Sequence, residues 1–299
     1  MMPGDKMFFK KHKVISVLLC ILSVLIIFFA VNIIFSNCVL TYSDYTIETT
    51  KIKGQTTFVA ISDSEGRVFG ENNSRLAEKV KNANPEFVMI LGDMVDNENG
   101  DYSGVVALCK TLAKDFPVYY TLGNHELSFS ESENGKYLEN LKNAINSTGA
   151  TMLVNEMTDF KTEDGDKITI AGLKQFPFFE YYAPDYDNEE NKLFQKYLSQ
   201  EDDNHFSILM CHYPETYVWG FDKYTIDLMV SGHTHGGLFR IPFVGGVYAP
   251  EQGFMPKYTK GYYSNGNANM LISAGLNNSQ NIPRLFNPLD VTVVTLKGK

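Results

Sequence analysis

Five short apolar runs, each followed directly or after one glycine by Asp, Asn or His, constrain the fold of this chain more than any other feature. The run Phe87–Leu91 is typical: it lies between Pro85 and Gly92, and Asp93 follows it. Runs of this length and composition predict buried strands. The five runs cover residues 58–62, 87–91, 118–122, 207–211 and 227–231. Because ligands collect outside the carboxyl ends of strands in open α/β sheets, we expect all five to deliver polar side chains to one edge of a sheet.

Helical patterns alternate with these runs. Asn73 and Ser74 precede a helical pattern that Asn84-Pro85 ends, and the other patterns lie near residues 102–114, 135–147 and 189–199. This alternation predicts layered α/β structure. The segment 160–170, with Asp164-Gly165 at its centre, predicts a hairpin. We expect that hairpin to belong to a second sheet together with the final apolar run, residues 291–296.

Composition and charge narrow the possible partners. The chain has 299 residues, of which 44% are apolar, so it can bury a large core as one large domain or two small ones. The formal net charge of −9 argues against a nucleic-acid backbone as its partner. It does not exclude small phosphorylated substrates, since bound metal ions change the local charge. The four cysteines are too scattered to predict a disulfide framework or a metal-binding pair.

The amino terminus predicts a membrane anchor. Residues 14–35 are almost wholly apolar and uncharged, close to the roughly 20 residues that a membrane-spanning helix needs. A cleaved signal peptide is the alternative, although the stretch exceeds the usual ~7–15 apolar residues of such peptides. Lysines precede the stretch at positions 6, 10, 11 and 13, and residues 36–50 contain no Lys or Arg, so the positive-inside bias predicts a cytoplasmic amino terminus. The predicted divisions are a cytoplasmic tail (1–13), a transmembrane anchor (14–35), a polar stalk (36–55) and an extracytoplasmic domain (56–299).

The polar residues after the runs form a set of candidate metal ligands. The set is Asp63, Asp93, Asn124, His125, His212, His233 and His235. Carboxylate, amide oxygen and imidazole together suit Mn, Fe, Zn or a similar divalent ion. A carboxylate such as Asp93 can bridge two ions, and ions about 3.5–4 Å apart hold the attacking and leaving oxygens of a phosphoryl transfer. The reaction class that follows is hydrolysis of a phosphoester.

Four sequence blocks make a family resemblance specific. They are Gly92-Asp93-Met94-Val95-Asp96, Gly123-Asn124-His125-Glu126, the single His212, and Gly232-His233-Thr234-His235. In this order they resemble the blocks of the calcineurin-like metallophosphoesterase family. The stretch 236–262 is similar to its membrane-anchored bacterial branch, which is related to UDP-2,3-diacylglucosamine pyrophosphohydrolases. The resemblance covers about residues 56–296, and it implies a sandwich of two β-sheets flanked by helices, in four layers.

The resemblance also implies roles for single residues. Asp63, Asp93 and His235 would hold a first metal ion, and Asp93, Asn124, His212 and His233 a second. His125 would protonate the leaving oxygen or stabilise charge on the phosphoryl group. Asp96 would orient His125 or a ligand.

The first block departs from the family pattern. The family has Asp-x-His, whereas this chain has Asp63-Ser64-Glu65. If Glu65 is a ligand, the first site shifts toward metals that prefer oxygen, such as Mn or Mg. If Glu65 points away, the first site is weak or empty.

The function that these features predict is a membrane-anchored phosphoesterase with two divalent metal ions, Mn, Fe or Zn, with Mg as a further candidate. The bond that it hydrolyses would be a phosphodiester, pyrophosphate or phosphomonoester bond. The substrate would be a phosphorylated small molecule, a lipid or a cell-envelope precursor. The aromatic stretch 176–186 either packs on the core or lines an apolar entrance for a lipid-linked substrate. The alternatives are a catalytically impaired metal- or phosphate-binding protein, owing to Glu65, and an enzyme acting on extracellular nucleotides.

Overall fold

The structure, a computed structural model, describes residues 3–132, 135–174, 189–199, 205–278 and 282–299. Its α-helices are α1 Pro3–Cys38, α2 Ser74–Lys81, α3 Ser103–Leu112, α4 Asn124–Ser132, α5 Lys136–Ser147, α6 Glu189–Ser199 and α7 Glu215–Trp219. Two short 3-10 helices cover Glu71–Asn73 and Phe221–Lys223. The helical patterns that the sequence predicted correspond to α2, α3, α5 and α6. The aromatic stretch 176–186 lies outside the described residues.

The first sheet contains three of the predicted strands. Its members are β1 Leu40–Thr49, β2 Gln55–Ile61, β3 Phe87–Ile90, β4 Val118–Tyr120, β5 Thr151–Met152 and β16 Leu289–Gly298. Their order is β1-β16-β2-β3-β4-β5, with β2 to β5 parallel to one another and β16 antiparallel to β2.

The second sheet contains the other two predicted strands. Its members are β6 Glu156–Lys161, β7 Lys167–Gly172, β8 Phe206–Met210, β9 Ile226–Ser231, β14 Gly261–Ser264 and β15 Ala268–Ile272, in the order β14-β15-β9-β8-β7-β6. The strands β7, β8, β9 and β15 are parallel. Between β9 and β14 the chain forms two small hairpins, from β10 Arg240–Ile241 and β11 Gly245–Gly246 and from β12 Tyr248–Ala249 and β13 Gly253–Phe254.

The hairpin predicted at residues 160–170 is confirmed as β6 and β7, but its predicted partner was wrong. The final run lies in β16, between β1 and β2 of the first sheet. Val291 and Val293 pack in one apolar cluster, and Val294 and Leu296 pack in another on the opposite face. The two edges of β16 pair with β1 and β2, so β16 is an inner strand of the first sheet.

The strand β1 corrects the predicted polar stalk. Residues 40–49 pair in parallel with β16 along their whole length. Leu40 and Tyr42 pack against the outer apolar cluster, whereas Tyr45 and Ile47 pack in the cluster between the sheets. The polar residues between them gave the segment the appearance of a linker, but the alternation is that of an edge strand.

The two sheets pack face to face between two helical layers. One apolar cluster joins α2, α3 and α5 to the first sheet, a second fills the space between the sheets, and a third joins α6 and α7 to the second sheet. Alternate residues of one strand serve different clusters: Val59 faces the helices, and Phe58 faces the other sheet. The predicted four-layer α/β fold is confirmed.

The amino-terminal helix α1 contacts this domain at its carboxyl end. From Lys13 to Cys38 it is long and apolar enough to cross a membrane, and its most apolar window is not buried against the described chain. Asn37 Oδ1 accepts a hydrogen bond of 2.9 Å from the backbone N–H of Arg284, and Asn32 Oδ1 accepts one of 2.7 Å from that of Phe286.

Candidate metal centre

The candidate ligands meet where strands of both sheets end. The sequence predicted one sheet edge, whereas the structure brings together the carboxyl ends of β2, β3 and β4 in the first sheet and of β8 and β9 in the second. Two hydrogen bonds join the sheets there. His212 Nδ1 donates to the Leu91 carbonyl oxygen at 2.7 Å, and the His233 backbone N–H donates to Asp63 Oδ1 at 2.9 Å.

Asp93 lies at the centre of the group and is almost fully buried. Its Oδ1 accepts a hydrogen bond of 2.9 Å from the His125 backbone N–H, and its Oδ2 lies 3.1 Å from His212 Nε2. Asp93 has φ +53° and follows Gly92 with φ +93°, so the chain turns sharply at the end of β3. A Cβ at Gly123 would lie 2.1 Å from Asp93 Oδ1, so only glycine allows the two loops to approach this closely.

Glu126 holds the Asp93 loop in place, a role that the sequence analysis did not assign. Its buried carboxylate accepts hydrogen bonds from the backbone N–H groups of Gly123, Asp93 and Met94 at 2.8–2.9 Å. The Tyr120 hydroxyl donates a fourth, at 2.6 Å. The signal available in the sequence was its place in the block Gly123-Asn124-His125-Glu126.

Glu65 faces the centre. Its backbone N–H donates to the Asp93 carbonyl at 3.0 Å, and Glu65 has φ +52°. The carboxylate is 2% exposed, with Oε2 lying 3.1 Å from His125 Nε2 and Oε1 3.7 Å from His235 Nε2. The geometry therefore favours Glu65 as a ligand over the alternative in which it points away.

The three candidate histidines that follow strands of the second sheet each have one ring nitrogen fixed by a hydrogen-bond acceptor. The other ring nitrogen is left for a metal ion. His212 donates from Nδ1 to Leu91, and His235 donates from Nδ1 to the Asn277 carbonyl oxygen at 2.9 Å. His233 is reversed: its Nε2 lies 2.6 Å from Glu251 Oε2. Hydrogen bonds of this kind orient imidazole ligands.

Several buried polar atoms of the centre make no hydrogen bond of good geometry, although those of Glu65 and His212 lie within ion-pair distance of neighbouring ligands. They are Asp63 Oδ2, both carboxylate oxygens of Glu65, Asn124 Oδ1 and His212 Nε2. Unpaired buried polar atoms are costly and are rarely left without a function. All of them are good ligands for a divalent cation. Potential metal-binding groups include Asp93 with His212 and His233, and Glu65 with Asp93 and His125. The residues therefore fit the divalent ions that the sequence predicted.

The protonation behaviour of the group indicates a site that attracts positive charge. Burial lowers the pKa of His212, but nearby Asp93 and Asp63 outweigh burial and raise the pKa to about 10. Burial likewise lowers the pKa of His125, but Glu65 and Asp93 outweigh it and raise the pKa to about 9. Burial raises the pKa of Asp93, but His212 and His125 hold the pKa of this carboxyl well below its usual range. A bound divalent cation would replace the positive charge that His212 carries here.

The structure does not support the predicted role of Asp96. Its Oδ1 accepts hydrogen bonds from the backbone N–H groups of Glu98 and Asn99 at 2.9 and 3.0 Å, which shapes the turn after the site. An Asp at the start of a turn forms such bonds readily, and the sequence block did not reveal this local use. Glu65 and Asp93 are the carboxylates near His125 Nε2.

Residues far away in sequence support the second-sheet histidines. Gln252, next to Glu251, donates to buried Glu215 at 2.6 Å. The fully buried Arg284 donates to the carbonyl oxygens of Asn287, Asn277 and Ala274 and approaches that of His235 at 3.4 Å, while Asn287 Nδ2 donates to the same His235 carbonyl at 2.7 Å. Neither Glu251 nor Arg284 has a spacing that links it to the histidines, so no sequence pattern indicated these contacts.

Comparison with known proteins finds similar phosphoesterase sequences and a similar phosphatase structure. The chain is 29% identical over 221 residues to the uncharacterized metallophosphoesterase YkuE of Bacillus subtilis, which covers 73% of this chain and 70% of that protein. It is 24% identical over 193 residues to the phosphodiesterase YaeI of Escherichia coli, covering 64% of this chain and 63% of that protein, so it spans less than two thirds of that relative. A dimetal phosphatase from Danio rerio superposes with a TM-score of 0.42 at 11% identity, covering 74% of this chain and 88% of that one.

The matched region of the family model coincides with the candidate centre. Residues 56–237, more than half of the chain, match the model described as calcineurin-like phosphoesterase. This range begins at β2 and includes all of the candidate ligands from Asp63 to His235. The chain belongs to the calcineurin-like phosphoesterase family.

Proposed function

We propose that this protein is a membrane-anchored, two-metal phosphoesterase that hydrolyses a phosphodiester or pyrophosphate bond in a lipid or cell-envelope substrate. The observation that carries the proposal is the group of buried, unpaired ligand atoms around Asp93. Asp63, Glu65, Asp93 and His235 would hold one divalent ion, and Asp93, Asn124, His212 and His233 the other. Two ions in such a site supply Lewis acidity toward the phosphoryl oxygens and toward water.

Two further residues position the ligands and supply a proton. Glu126 fixes the backbone on both sides of Asp93. His125 is held by its backbone N–H on Asp93, and its ring is 25% exposed, so it can reach a bound substrate. In the metal-free protein the carboxylates of Glu65 and Asp93 outweigh burial and raise the pKa of His125, and a protonated ring would donate a proton to a leaving oxygen.

The substrate class rests on two observations. The relative from Escherichia coli is named a phosphodiesterase, which makes a phosphodiester the first bond to test. The apolar helix α1 would hold the centre near a bilayer, where lipid phosphoesters are concentrated. The sequence resemblance to the branch related to UDP-2,3-diacylglucosamine pyrophosphohydrolases points the same way. The amino-terminal lysines orient the tail to the cytoplasm and the catalytic domain to the opposite side.

Hydrolysis by the purified full-length protein tests the proposal. The protein is stripped of metal, and Mn, Zn, Fe or Mg is then restored before turnover of a chromogenic phosphodiester and a phosphomonoester is measured. We expect metal-dependent turnover that favours the diester and falls at least a thousandfold in Asp93→Ala. Asp101→Ala, which removes a carboxylate from the nearby turn, is the matched control and retains the activity.

The alternative function is a metal- or phosphate-binding protein without catalysis. It would be indicated by stoichiometric binding of one ion and no turnover of either ester with any metal. Binding of two ions together with turnover of the diester would exclude it.

A further inference from the structure

A cluster of exposed apolar side chains lies on the two small hairpins that follow the metal ligands. It consists of Ile241, Phe243, Val244, Tyr248, Phe254 and Met255, which we call the apolar rim. The Phe243 side chain is fully exposed and that of Phe254 is 80% exposed. Tyr248 and Phe254 face each other across the second hairpin with ring centroids 5.4 Å apart. Exposed apolar side chains in this number on two consecutive hairpins usually mark a binding surface.

The conformation of Phe243 indicates that something outside the described chain covers it. The Val244 backbone N–H donates to the Ile241 carbonyl at 3.0 Å, which closes a turn with Pro242 and Phe243 at its centre. Phe243 has φ +67°, a conformation in which this turn position favours glycine. An aromatic residue there bears backbone strain, and its exposed ring gains no packing against the described residues in return.

The rim lies beside the apolar helix. Phe286 lines the same groove as Ile241, Pro242, Phe243 and Val244. Its ring contacts those of Phe28 and Phe29 of α1, with centroids 5.8 and 6.0 Å apart.

The position of these contacts along α1 sets a depth. Phe28 lies seven residues before Phe35, the end of the apolar stretch. At about 1.5 Å per helical residue, Phe286 meets the helix roughly 10 Å inside its apolar segment. If that segment fills the bilayer core, the neighbouring rim reaches the boundary between headgroups and acyl chains.

The backbone of residues 284–287, which lies beside α1, is suited to this depth in a bilayer. Backbone groups that enter a bilayer need partners within the protein. The backbone N–H groups of Phe286 and Asn287 donate to Asn32 Oδ1 and Ser36 Oγ of α1, and the Arg284 carbonyl accepts from Asn37 Nδ2. Polar side chains near the end of α1 thus satisfy the backbone of the segment that approaches the bilayer.

We propose that the apolar rim inserts into the bilayer that α1 spans, so that the metal centre faces lipid headgroups and takes a membrane phospholipid diester as its substrate. This inference rests on the proposed function for the anchor and for the hydrolytic activity. The hairpin of β12 and β13 connects the apolar rim to the candidate metal centre. It carries Tyr248 and Phe254 of the rim, and Glu251 at its turn contacts the candidate ligand His233.

Depth-dependent fluorescence quenching tests insertion without relying on activity. The chain has one tryptophan, Trp219, so W219F provides a silent background. The full-length protein with F243W is reconstituted in phosphatidylethanolamine and phosphatidylglycerol vesicles that contain acyl-brominated lipid. The matched control is K161W, in the exposed end of β6 that lies away from the strand ends of the metal centre.

We expect brominated lipid to quench the indole of the F243W protein at least threefold more than that of the K161W protein. Aqueous iodide should quench the K161W protein more. Equal quenching of the two proteins by both agents would overturn insertion of the rim.

Activity toward two diesters tests the substrate. We expect the double variant F243S/V244S to lose at least tenfold in turnover of a headgroup-labelled phospholipid in vesicles, with turnover of soluble bis(4-nitrophenyl) phosphate within twofold of the parent. V218S, which changes an exposed valine of α7, should affect neither. Equal loss on both diesters would overturn the role of the rim in lipid access.

The possible failures are distinguishable. If the parent hydrolyses the soluble diester but not the vesicle lipid, the phospholipid substrate is wrong. If the parent hydrolyses no ester, the proposed function fails together with the substrate, while the quenching result still decides whether the rim inserts.

Discussion

The two halves of the metal centre are held by different kinds of contact. In the first sheet, the loops that carry Asp93 and Asn124 are fixed by Glu126, which lies in the same block as Asn124 and 33 residues after Asp93. In the second sheet, His233 and His235 are supported by Glu251, Arg284 and Asn287 from later parts of the chain. One half is therefore held by a residue of the four family blocks, whereas the other depends on later segments that also contact the apolar helix and carry the apolar rim.

This difference separates stability from function. Loss of Glu126 should disturb the core of the first sheet directly. Loss of Glu251 should change one ligand and leave the fold intact. Arg284 lies between these cases, because it is buried like Glu126 but serves the same half as Glu251.

The largest effect is expected from Glu126→Gln. The amide offers an N–H group where the carboxylate accepts from three backbone donors and Tyr120, so two donors clash or lose their partner. We expect the free energy of unfolding to fall by about 3 kcal/mol. Denaturant unfolding of the metal-free protein measures this. Glu156→Gln, which changes an exposed partner of Lys142, should alter stability by less than about 0.5 kcal/mol, and a similar loss in both variants would contradict the role assigned to Glu126.

Arg284→Lys should weaken the second half of the centre. Lysine keeps the charge but cannot reach the separated carbonyl oxygens that the guanidinium contacts. We expect a loss of about 2 kcal/mol in unfolding free energy, together with weaker metal retention. Isothermal titration with Mn measures the second effect. Arg75→Lys, at an exposed position near the end of α1, is the matched control, and unchanged metal affinity in Arg284→Lys would show that His235 does not need this support.

The sequence predicted the centre better than its supports for a physical reason. Asp93, Asn124, His212, His233 and His235 each follow a short apolar run, and parallel strands bring their carboxyl ends to the same side. The periodicity of a strand shows where the strand ends, but not which sheet it joins. The final run was accordingly placed in the wrong sheet, because the pairing of β16 with β1 and β2 links distant parts of the chain.

Side-chain partners were the other part that sequence did not supply. Asp96 is a carboxylate in the right sequence block to support a ligand, but its side chain accepts a hydrogen bond from the backbone of its own loop. Glu251 has nothing in its surroundings in sequence to distinguish it from other exposed acidic residues, and only the fold brings it to His233. Contacts of this kind depend on loop conformation, which hydrophobic periodicity does not encode.

Glu65→His tests the residue at which this chain departs from its family. An imidazole beside Asp63 and His235 would favour zinc over harder ions. We expect the affinity for zinc relative to Mg to rise about tenfold. Competitive metal titration of the full-length protein measures the ratio. Glu71→His, at an exposed acidic residue outside the centre, should leave the ratio unchanged, and the same result in Glu65→His would mean that residue 65 is not a ligand.

The pH dependence of the metal-free protein sharpens the comparison of the two sheets. The pKa of His212 is raised to about 10 in the folded protein, against an ordinary value of 6.5. A raised pKa contributes stability that is fully present below the unfolded value and is lost as pH rises through the folded one. We therefore expect the free energy of unfolding to decrease between about pH 6.5 and pH 10 in metal-free protein. His212→Asn should flatten that decline, and bound metal should do so as well, whereas an unchanged slope would exclude His212 as its source.

The smallest effect is expected from Glu251→Gln. The amide oxygen can still accept a hydrogen bond from His233 Nε2–H, so the ring keeps its orientation. The negative charge that makes the imidazole a stronger metal ligand is lost. Since the Glu251 side chain is 37% exposed, stability should change by less than about 0.5 kcal/mol, while the affinity for the more weakly held ion falls by about tenfold. Parallel metal titration and denaturant unfolding measure the two quantities, with Glu98→Gln as an exposed control. A loss of stability comparable to that of Glu126→Gln would mean that the two halves are held alike, and the contrast between a half held from within the family blocks and a half supported by later segments would fail.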